Sequence, residues 1–590
     1  MKNGEASITC TAWHNTSIRD GQHLREGGTT RPRQEGTKNT STGRNKASMH
    51  KRDEKHPPQN CGKENAPAGL QSFMMLHVIL SLLILINNGK SEMLEELQAD
   101  DVQQQHLMPV ASFNRSSFPS DFVFGAGTAA YQIEGAANKH GKKPSIWDVF
   151  THNFSDRIAD GSNGDVASDF YHRYKEDLKL MRDMGSDAFR FSISWSRLLP
   201  GGKLNEGVNQ IGIDFYNNLI NDILAHGLLP FATIFHWDLP QALEEEYGGF
   251  LSPRIVDDFK DFSELCYKQF GDRVKHWVTI NEPWSYSVSG YSLGNLAPGR
   301  CSRWVAKYCL VGNSATEPYI IGHHLILAHG AAVKVYREKY QASQKGTIGI
   351  SHVVHWMVPY SDTEIDKKAA ERELDFMYGW FMEPTTYGTY PSSMQELVGH
   401  RLPNFTEEET QLIKGSYDFV GVNYYTAYYA VDVPYVAKVN VSYETDIQVN
   451  IVAEKDGKLI GPQAASSWLY VYPKGIHDIL IYTKEKYNNP TIYITENGCD
   501  EFSNNSLPLS EALKDPMRID YHYKHFIHLL EAIKDGVKVK GYFAWAATDN
   551  FQWASGYTKR FGIVFVDFKD GLLKRYPKDS YYWFKNFLQK

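Results

Sequence analysis

The chain has 590 residues, 42% of them hydrophobic and 13% aromatic, and its 62 Lys and Arg against 69 Asp and Glu give a formal net charge of −7. That is enough apolar sequence for a large buried core, and the acidic balance argues against a nucleic-acid or anionic-membrane partner. No repeat in the range of about 20 to 50 residues is evident, which disfavours a solenoid or a propeller.

Residues 1–72 contain no Phe or Tyr and a single Trp, Trp13, and carry +5 of charge, leaving −12 for the remainder. Such a stretch buries too little apolar surface to offset its ordering entropy, so a disordered polar extension is expected. The apolar run 73–86 is 14 residues long, short of the roughly 20 that cross a bilayer as a helix. It fits the hydrophobic region of a secretory signal peptide spanning 73–92. Because 72 polar residues precede it, translation is expected to begin at Met74 or Met75, the upstream part being an extended gene model. A signal anchor with a cytosolic tail is the competing reading. Residues 93–117 read as a linker and 118–590 as one folded body. Sequons at Asn114, Asn153, Asn404, Asn440 and Asn504 agree with a secretory route, to the cell exterior or wall or to the vacuole.

From Phe118 onward, apolar runs alternate with amphipathic stretches. The runs 122–124, 188–195, 229–235, 274–280, 347–355, 419–424, 491–495 and 541–545 are hydrophobic on both faces. Eight such strands alternating with helices predict an α/β fold, a closed parallel (β/α)8 TIM barrel. Insertions rich in Trp, Tyr and Pro, at 140–165, 284–320, 355–405 and 425–475, mostly follow strands, so long loops should build a site on the C-terminal face.

Of six cysteines, Cys10 and Cys61 lie in the extension. Cys266 sits in an amphipathic stretch and reads as a small buried hydrophobe. Cys301 and Cys309, eight apart in a polar loop, could close a disulfide in an oxidising compartment. Cys499 has no neighbouring base that would make it a nucleophile.

Two strings carry chemistry: Thr279-Ile280-Asn281-Glu282-Pro283 and Ile494-Thr495-Glu496-Asn497-Gly498. Each sets one Glu where a β-branched, aromatic run stops at Pro or Gly, the place where a buried strand opens into a loop. Either Glu alone could cap a turn or pair with a cation. Two of them at strand ends are the minimum equipment for glycosidic cleavage, one to protonate the leaving oxygen and one to attack or stabilise the sugar cation.

The body resembles glycoside hydrolase family 1, the β-glucosidases, and their plant members in particular. The likeness runs from about Phe118 to the C-terminus. Besides the two Glu strings it rests on the stretch 122–135, on Arg190 to Arg197, on His236-Trp237-Asp238-Leu239-Pro240, on Asn423-Tyr424-Tyr425 and on 545–556. The resemblance implies hydrolysis of small-molecule β-glycosides with retention of configuration, Glu496 acting as nucleophile and Glu282 as acid and then base. It implies that Arg190 and Tyr425 attend the nucleophile. It also implies that Gln132, His236, Asn281, Asn423, Trp545, Gln552 and Trp553 hold the glycone and that Trp468 is the aglycone platform. No cofactor is implied, and no His and carboxylate cluster has the spacing of a metal site. Nothing in the sequence indicates the oligomeric state, and no stable membrane anchor is expected.

One departure matters. Where the family's glucosidases usually read Asn-Phe-Glu-Trp, this chain has Asn550-Phe551-Gln552-Trp553, preceded by the small Ala546-Ala547-Thr548. An amide donates as well as accepts, so it suits a glucose whose 6-oxygen carries another sugar. This is similar to the diglycosidase branch that includes primeverosidases, furcatin hydrolases and vicianin hydrolases. An ordinary monoglucosidase or transglucosidase shares every catalytic residue. A thioglucosidase would be expected to replace the acid. A non-catalytic sugar-binding protein would be expected to lack one Glu, and both are present.

Overall fold

The computed structural model describes residues 113–434, 439–569 and 571–589. The expected extension, signal region and most of the linker lie outside the described residues.

Eight parallel strands close on themselves: β1 (Val123–Gly127), β2 (Ala188–Ser192), β3 (Leu229–Phe235), β4 (His276–Asn281), β5 (Thr347–Pro359), β6 (Phe419–Asp432), β7 (Ile492–Asn497) and β8 (Val539–Trp545). β1 lies between β2 and β8, and β7 bridges β6 to β8, which completes the ring. Helices such as Phe170–Met184, Gln210–Ala225 and Ile255–Phe270 connect consecutive strands and lay their apolar stripes on the outside of the barrel. The protein is therefore a (β/α)8 TIM barrel, buried inside by side chains such as Phe231 and Phe543, whose rings lie 4.6 Å apart.

Three boundaries differ from the sequence expectation. The second strand stops at Ser192, and Trp195 opens a short helix, Trp195–Leu198, with its indole stacked on Phe262 at 4.8 Å. β5 and β6 run well past the expected 355 and 424 and stay paired as far as Pro359 and Ala430. A short strand, Val449–Val452, then adds to β6 in antiparallel fashion. Part of what reads as loop is thus a twisted ribbon rising beside the barrel mouth. Its β-branched and aromatic residues favour extended backbone once a partner strand covers them.

Aromatics from both ends of the body pack together against β1. Phe113, Phe118 and Phe124 meet Phe526 and Phe587, the last from the C-terminal helix Asp579–Phe587. Cys301 and Cys309 form a disulfide with a Cα separation of 5.4 Å. Cys266 is a buried free thiol. No helix among the described residues is long and apolar enough to cross a membrane.

Candidate active site

Both carboxylates sit at the C-terminal ends of barrel strands. Glu282 follows β4 directly and caps the helix Pro283–Tyr291. Its backbone is left-handed, with φ of 44°, and its N–H donates to Ser351 O at 2.8 Å. A non-glycine residue held there is strained by about 1 to 3 kcal/mol, which the surrounding fold must overcome. Glu496 lies within the last turn of β7, and Gly498 follows because any Cβ there would stand 2.0 Å from the Trp545 carbonyl oxygen.

The two carboxylates have different surroundings. Arg190, wholly buried at the centre of β2, donates from one Nη to Glu496 Oε1 at 2.6 Å, while Tyr425 on β6 donates its hydroxyl to Oε2 at 2.6 Å. Both Glu496 oxygens are acceptors for charge-assisted or phenolic donors, the arrangement of a carboxylate rather than a carboxylic acid. Burial, then the charge of Glu496, hold the Tyr425 phenol well above its usual range, so it remains a donor. Glu282 receives Asn423 Nδ2 on Oε1 and Ser285 Oγ on Oε2, each at 2.7 Å. Burial first, and the Glu496 charge second, push Glu282 up to about 8 against the pull of those two donors and of Arg190. Glu282 is thus set to carry a proton at neutral pH beside a carboxyl whose two oxygens both accept hydrogen bonds.

A hydrogen-bonded relay joins the pair. The second Nη of Arg190 donates to Asn281 Oδ1 at 2.7 Å, the same oxygen accepts Asn423 Nδ2 at 3.1 Å, and Asn423 Oδ1 accepts Thr495 Oγ1 at 2.6 Å. Asn423, expected from the resemblance to touch the sugar, therefore directs both N–H bonds to Asn281 and Glu282. Its observed contacts orient the dyad.

The remaining residues surround the same mouth. Asn281 Nδ2 bonds His236 Nε2 at 3.2 Å, so the neutral imidazole carries its proton on Nδ1, which is buried with no partner among the described residues. Burial, with help from Arg190, keeps His236 neutral by lowering its pKa well below the usual value. Gln132 donates Nε2 to Phe551 O at 2.7 Å and to Asn550 Oδ1 at 3.1 Å, leaving Oε1 as an unpartnered acceptor. Trp545 and Trp553 lie near parallel to the His236 ring at 5.9 and 6.0 Å. Trp468 stands edge-on to Tyr425 at 5.8 Å. Gln552 donates one side-chain N–H to Asn550 Oδ1 at 2.7 Å. Amide, imidazole and indole groups of this kind suit a polyol with one apolar face.

Sequence reasoning missed Ser285, Thr495 and the two indoles that back Trp553: Trp147 at 4.6 Å and Trp237 at 4.7 Å. Ser285 had a signal, since it stands three residues after Glu282 at the start of a helix and so on the same face. Cys499 is buried, and burial pushes its thiol up to about 12, which leaves it inert. No group of three or more His, Cys, Asp or Glu placed to hold a metal occurs among the described residues.

Residues 114–590 match Glycosyl hydrolase family 1. The chain is 59% identical over 477 residues to β-glucosidase 12 of Oryza sativa subsp. indica, covering 81% of this chain and 93% of that one. It is 55% identical over 474 residues to furcatin hydrolase of Viburnum furcatum, covering 80% and 87%. A crystal structure of a rice β-glucosidase superposes with a TM-score of 0.80 at 50% identity, covering 81% of this chain and all of that one.

Proposed function

Since this chain belongs to glycosyl hydrolase family 1 and is a retaining glycoside hydrolase of the β-glucosidase type, we propose that Glu496 is its nucleophile, Glu282 its acid and base, and a 6-O-glycosyl-glucose disaccharide its preferred glycone. The observation that supports the two catalytic roles is the asymmetry of the carboxyls. Arg190 and Tyr425 hold Glu496 as an acceptor, and Glu282 is lifted to about 8.

In the first step Glu496 attacks the anomeric carbon while Glu282 gives its proton to the departing glycosidic oxygen. The bond formed is an ester, which removes the Glu496 charge. One of the two forces raising Glu282 then disappears, and the residue becomes a carboxylate able to take a proton from the attacking water. Water adds to the anomeric carbon, the ester breaks, and both groups return to their starting states. Gln132 Oε1 and His236 Nδ1 offer one acceptor and one donor to glycone hydroxyls, Asn281 keeps one N–H for the hydroxyl next to the reacting carbon, and Trp468 flanks the aglycone.

Support for the disaccharide glycone comes from Gln552 standing where the family usually has an anion, from the buried small neighbours Ala546, Ala547 and Thr548, and from the likeness to furcatin hydrolase. Gln552→Glu should shift the ratio of kcat/KM toward simple glucosides by about 5- to 150-fold. A carboxylate accepts from free 4- and 6-hydroxyls but has no N–H for an ether oxygen, and one unpaired polar group costs about 1 to 3 kcal/mol. The carboxylate would also face Asn550 Oδ1, so absolute rates will fall for both substrates. Measuring the ratio for two substrates with a common aglycone cancels that shared loss. A parent enzyme that already prefers the monoglucoside by a wide margin would leave the β-glucosidase reading, favoured by the identity to β-glucosidase 12, in its place.

We also infer a secretory route. Expression starting at Met74 should give active, exported enzyme, because the apolar run then becomes an ordinary signal region. Peptide mapping of native protein that finds an intact, membrane-held N-terminus would favour the anchor instead.

A further inference from the structure

Behind the site, a cavity of about one water's width is lined by Glu134, Lys142, Asp148, Ser194, Arg197 and Asp238. Several of these side chains are paired on one side only. Arg197 donates Nε to Glu134 at 2.9 Å and one Nη to Gly135 O at 3.0 Å, and Lys142 donates to Asp148 Oδ2 at 2.8 Å. Four buried atoms lack a hydrogen-bond partner among the described residues: Asp148 Oδ1, Ser194 Oγ, the second Nη of Arg197 and Asp238 Oδ1. Their residues are 6%, 2%, 1% and 2% exposed, so bulk solvent does not serve them. The Ser194 hydroxyl is near enough to Asp238 to favour its ionised form, yet the two do not meet as a hydrogen bond.

The chemistry of the four atoms selects among ligands. Two carboxylate oxygens only accept, a guanidinium N–H only donates, and a hydroxyl does either. A metal ion or an ammonium would be repelled by the Arg197 N–H, and an anion by the two carboxylate oxygens. Water donates twice and accepts twice, which matches the set. We propose that this cavity is a binding site for one permanently held water, and that through it Asp238 acts as a positioning residue for the glycone-binding His236.

Three segments that carry active-site groups converge there. Glu134 and Gly135 follow Gln132, Asp238 follows His236 by two residues, and Ser194 and Arg197 follow the strand that bears Arg190. Between His236 and Asp238 the chain turns through Trp237, left-handed at φ of 73° and tied by its indole N–H to Asn281 O at 2.8 Å. The water would fix the outer side of that turn, and so the distance between Gln132 Oε1 and His236 Nδ1. Burial, with the charge of Glu134 next, raises Asp238 to about 7 against Lys142 and Ser194. A water tolerates either state of the carboxyl, because it can reverse a bond from donor to acceptor.

The link to His236 rests on the glycone-binding role proposed above, whereas the water itself does not. A crystal structure of the full body at about 1.5 Å should show one water within hydrogen-bond distance of the four atoms. A dry cavity, or an ion in it, overturns the proposal whatever the enzyme's substrate. For the positioning role, Asp238→Leu should raise KM for p-nitrophenyl β-glucoside and the Ki of glucose together, by about tenfold, with kcat changed less, while Asp238→Asn, which keeps an acceptor oxygen, should stay within about threefold of the parent. Should the Leu variant fail to fold, Ser194→Ala removes one partner of the same water and should raise both constants by about threefold. Unchanged KM and Ki in a folded Leu or Ala variant, or equal losses in Leu and Asn, would refute the positioning role.

Discussion

Replacing Glu496 with alanine should lower turnover of any β-glucoside by at least about 10⁴-fold, the scale on which loss of a covalent participant is felt. The structure adds a reason to expect chemical rescue. Arg190 and Tyr425 both aim donors at the carboxylate, and Arg190 keeps its bonds to Thr495 O and Asn281 Oδ1 when it is removed. They would hold a small anion such as azide or formate in the gap. With Glu282 still able to give its proton, azide should attack from the vacated side and yield an α-glycosyl azide, with inverted configuration. The product is identified by NMR, and its anomer decides the matter: a β-azide, or parent-like hydrolysis by rigorously purified protein, would remove Glu496 from the nucleophile's role.

Glu282→Gln is the second large effect. For substrates with poor leaving groups, kcat should fall by about 10² to 10⁴, the usual contribution of a general acid. An activated aryl glucoside needs no proton, so its first step should survive and a burst of phenol should precede a slow steady state while the glycosyl-enzyme accumulates. The pH dependence gives an independent check. On the proposed roles the active form of the parent carries a proton on Glu282, so kcat/KM should fall as pH rises through about 8. Glutamine cannot titrate, and that alkaline limb should vanish. The limb belongs to the coupled pair, and Glu496→Gln, by removing the neighbouring charge, should move the Glu282 titration downward. An alkaline limb that survives in Glu282→Gln would have to come from another group and would contradict the assignment.

Much of this fold is legible in the sequence because a parallel barrel strand must be apolar on both faces, and each of the eight such runs holds a barrel strand. The two glutamates are legible for a related reason: a charged residue immediately before Pro283 or two before Gly498 can only stand where a strand leaves the core. What stayed hidden depends on partners remote in sequence. The extra length of β5 and β6 arises because each covers the other beyond the barrel rim, so their outer halves read as loop when taken singly. The wiring of Asn423 is another case. It needs Asn281, 142 residues earlier, and Thr495, 72 later, and no local pattern in Asn423-Tyr424-Tyr425 says whether its amide meets a sugar or a carboxyl. Gln552 was legible as a substitution, but its bond to Asn550, which also fixes Gln132, was not.

The ring closes between its first and last strands, and an aromatic cluster packed against β1 joins Phe113 and Phe118 to Phe587. β1 must therefore wait for a partner made about 410 residues later, which at roughly 5 to 20 residues per second is an interval of some 20 to 80 s during synthesis. Over that time one edge of β1 is unpaired and its phenylalanines lack their cover, a template for mispairing with other nascent chains. The biogenesis of this enzyme should accordingly depend on a chaperone that shields the amino-terminal strand until release, and shortening the chain by the single turn that contains Phe584 and Phe587 should trap it in that waiting state with its catalytic residues intact but unassembled.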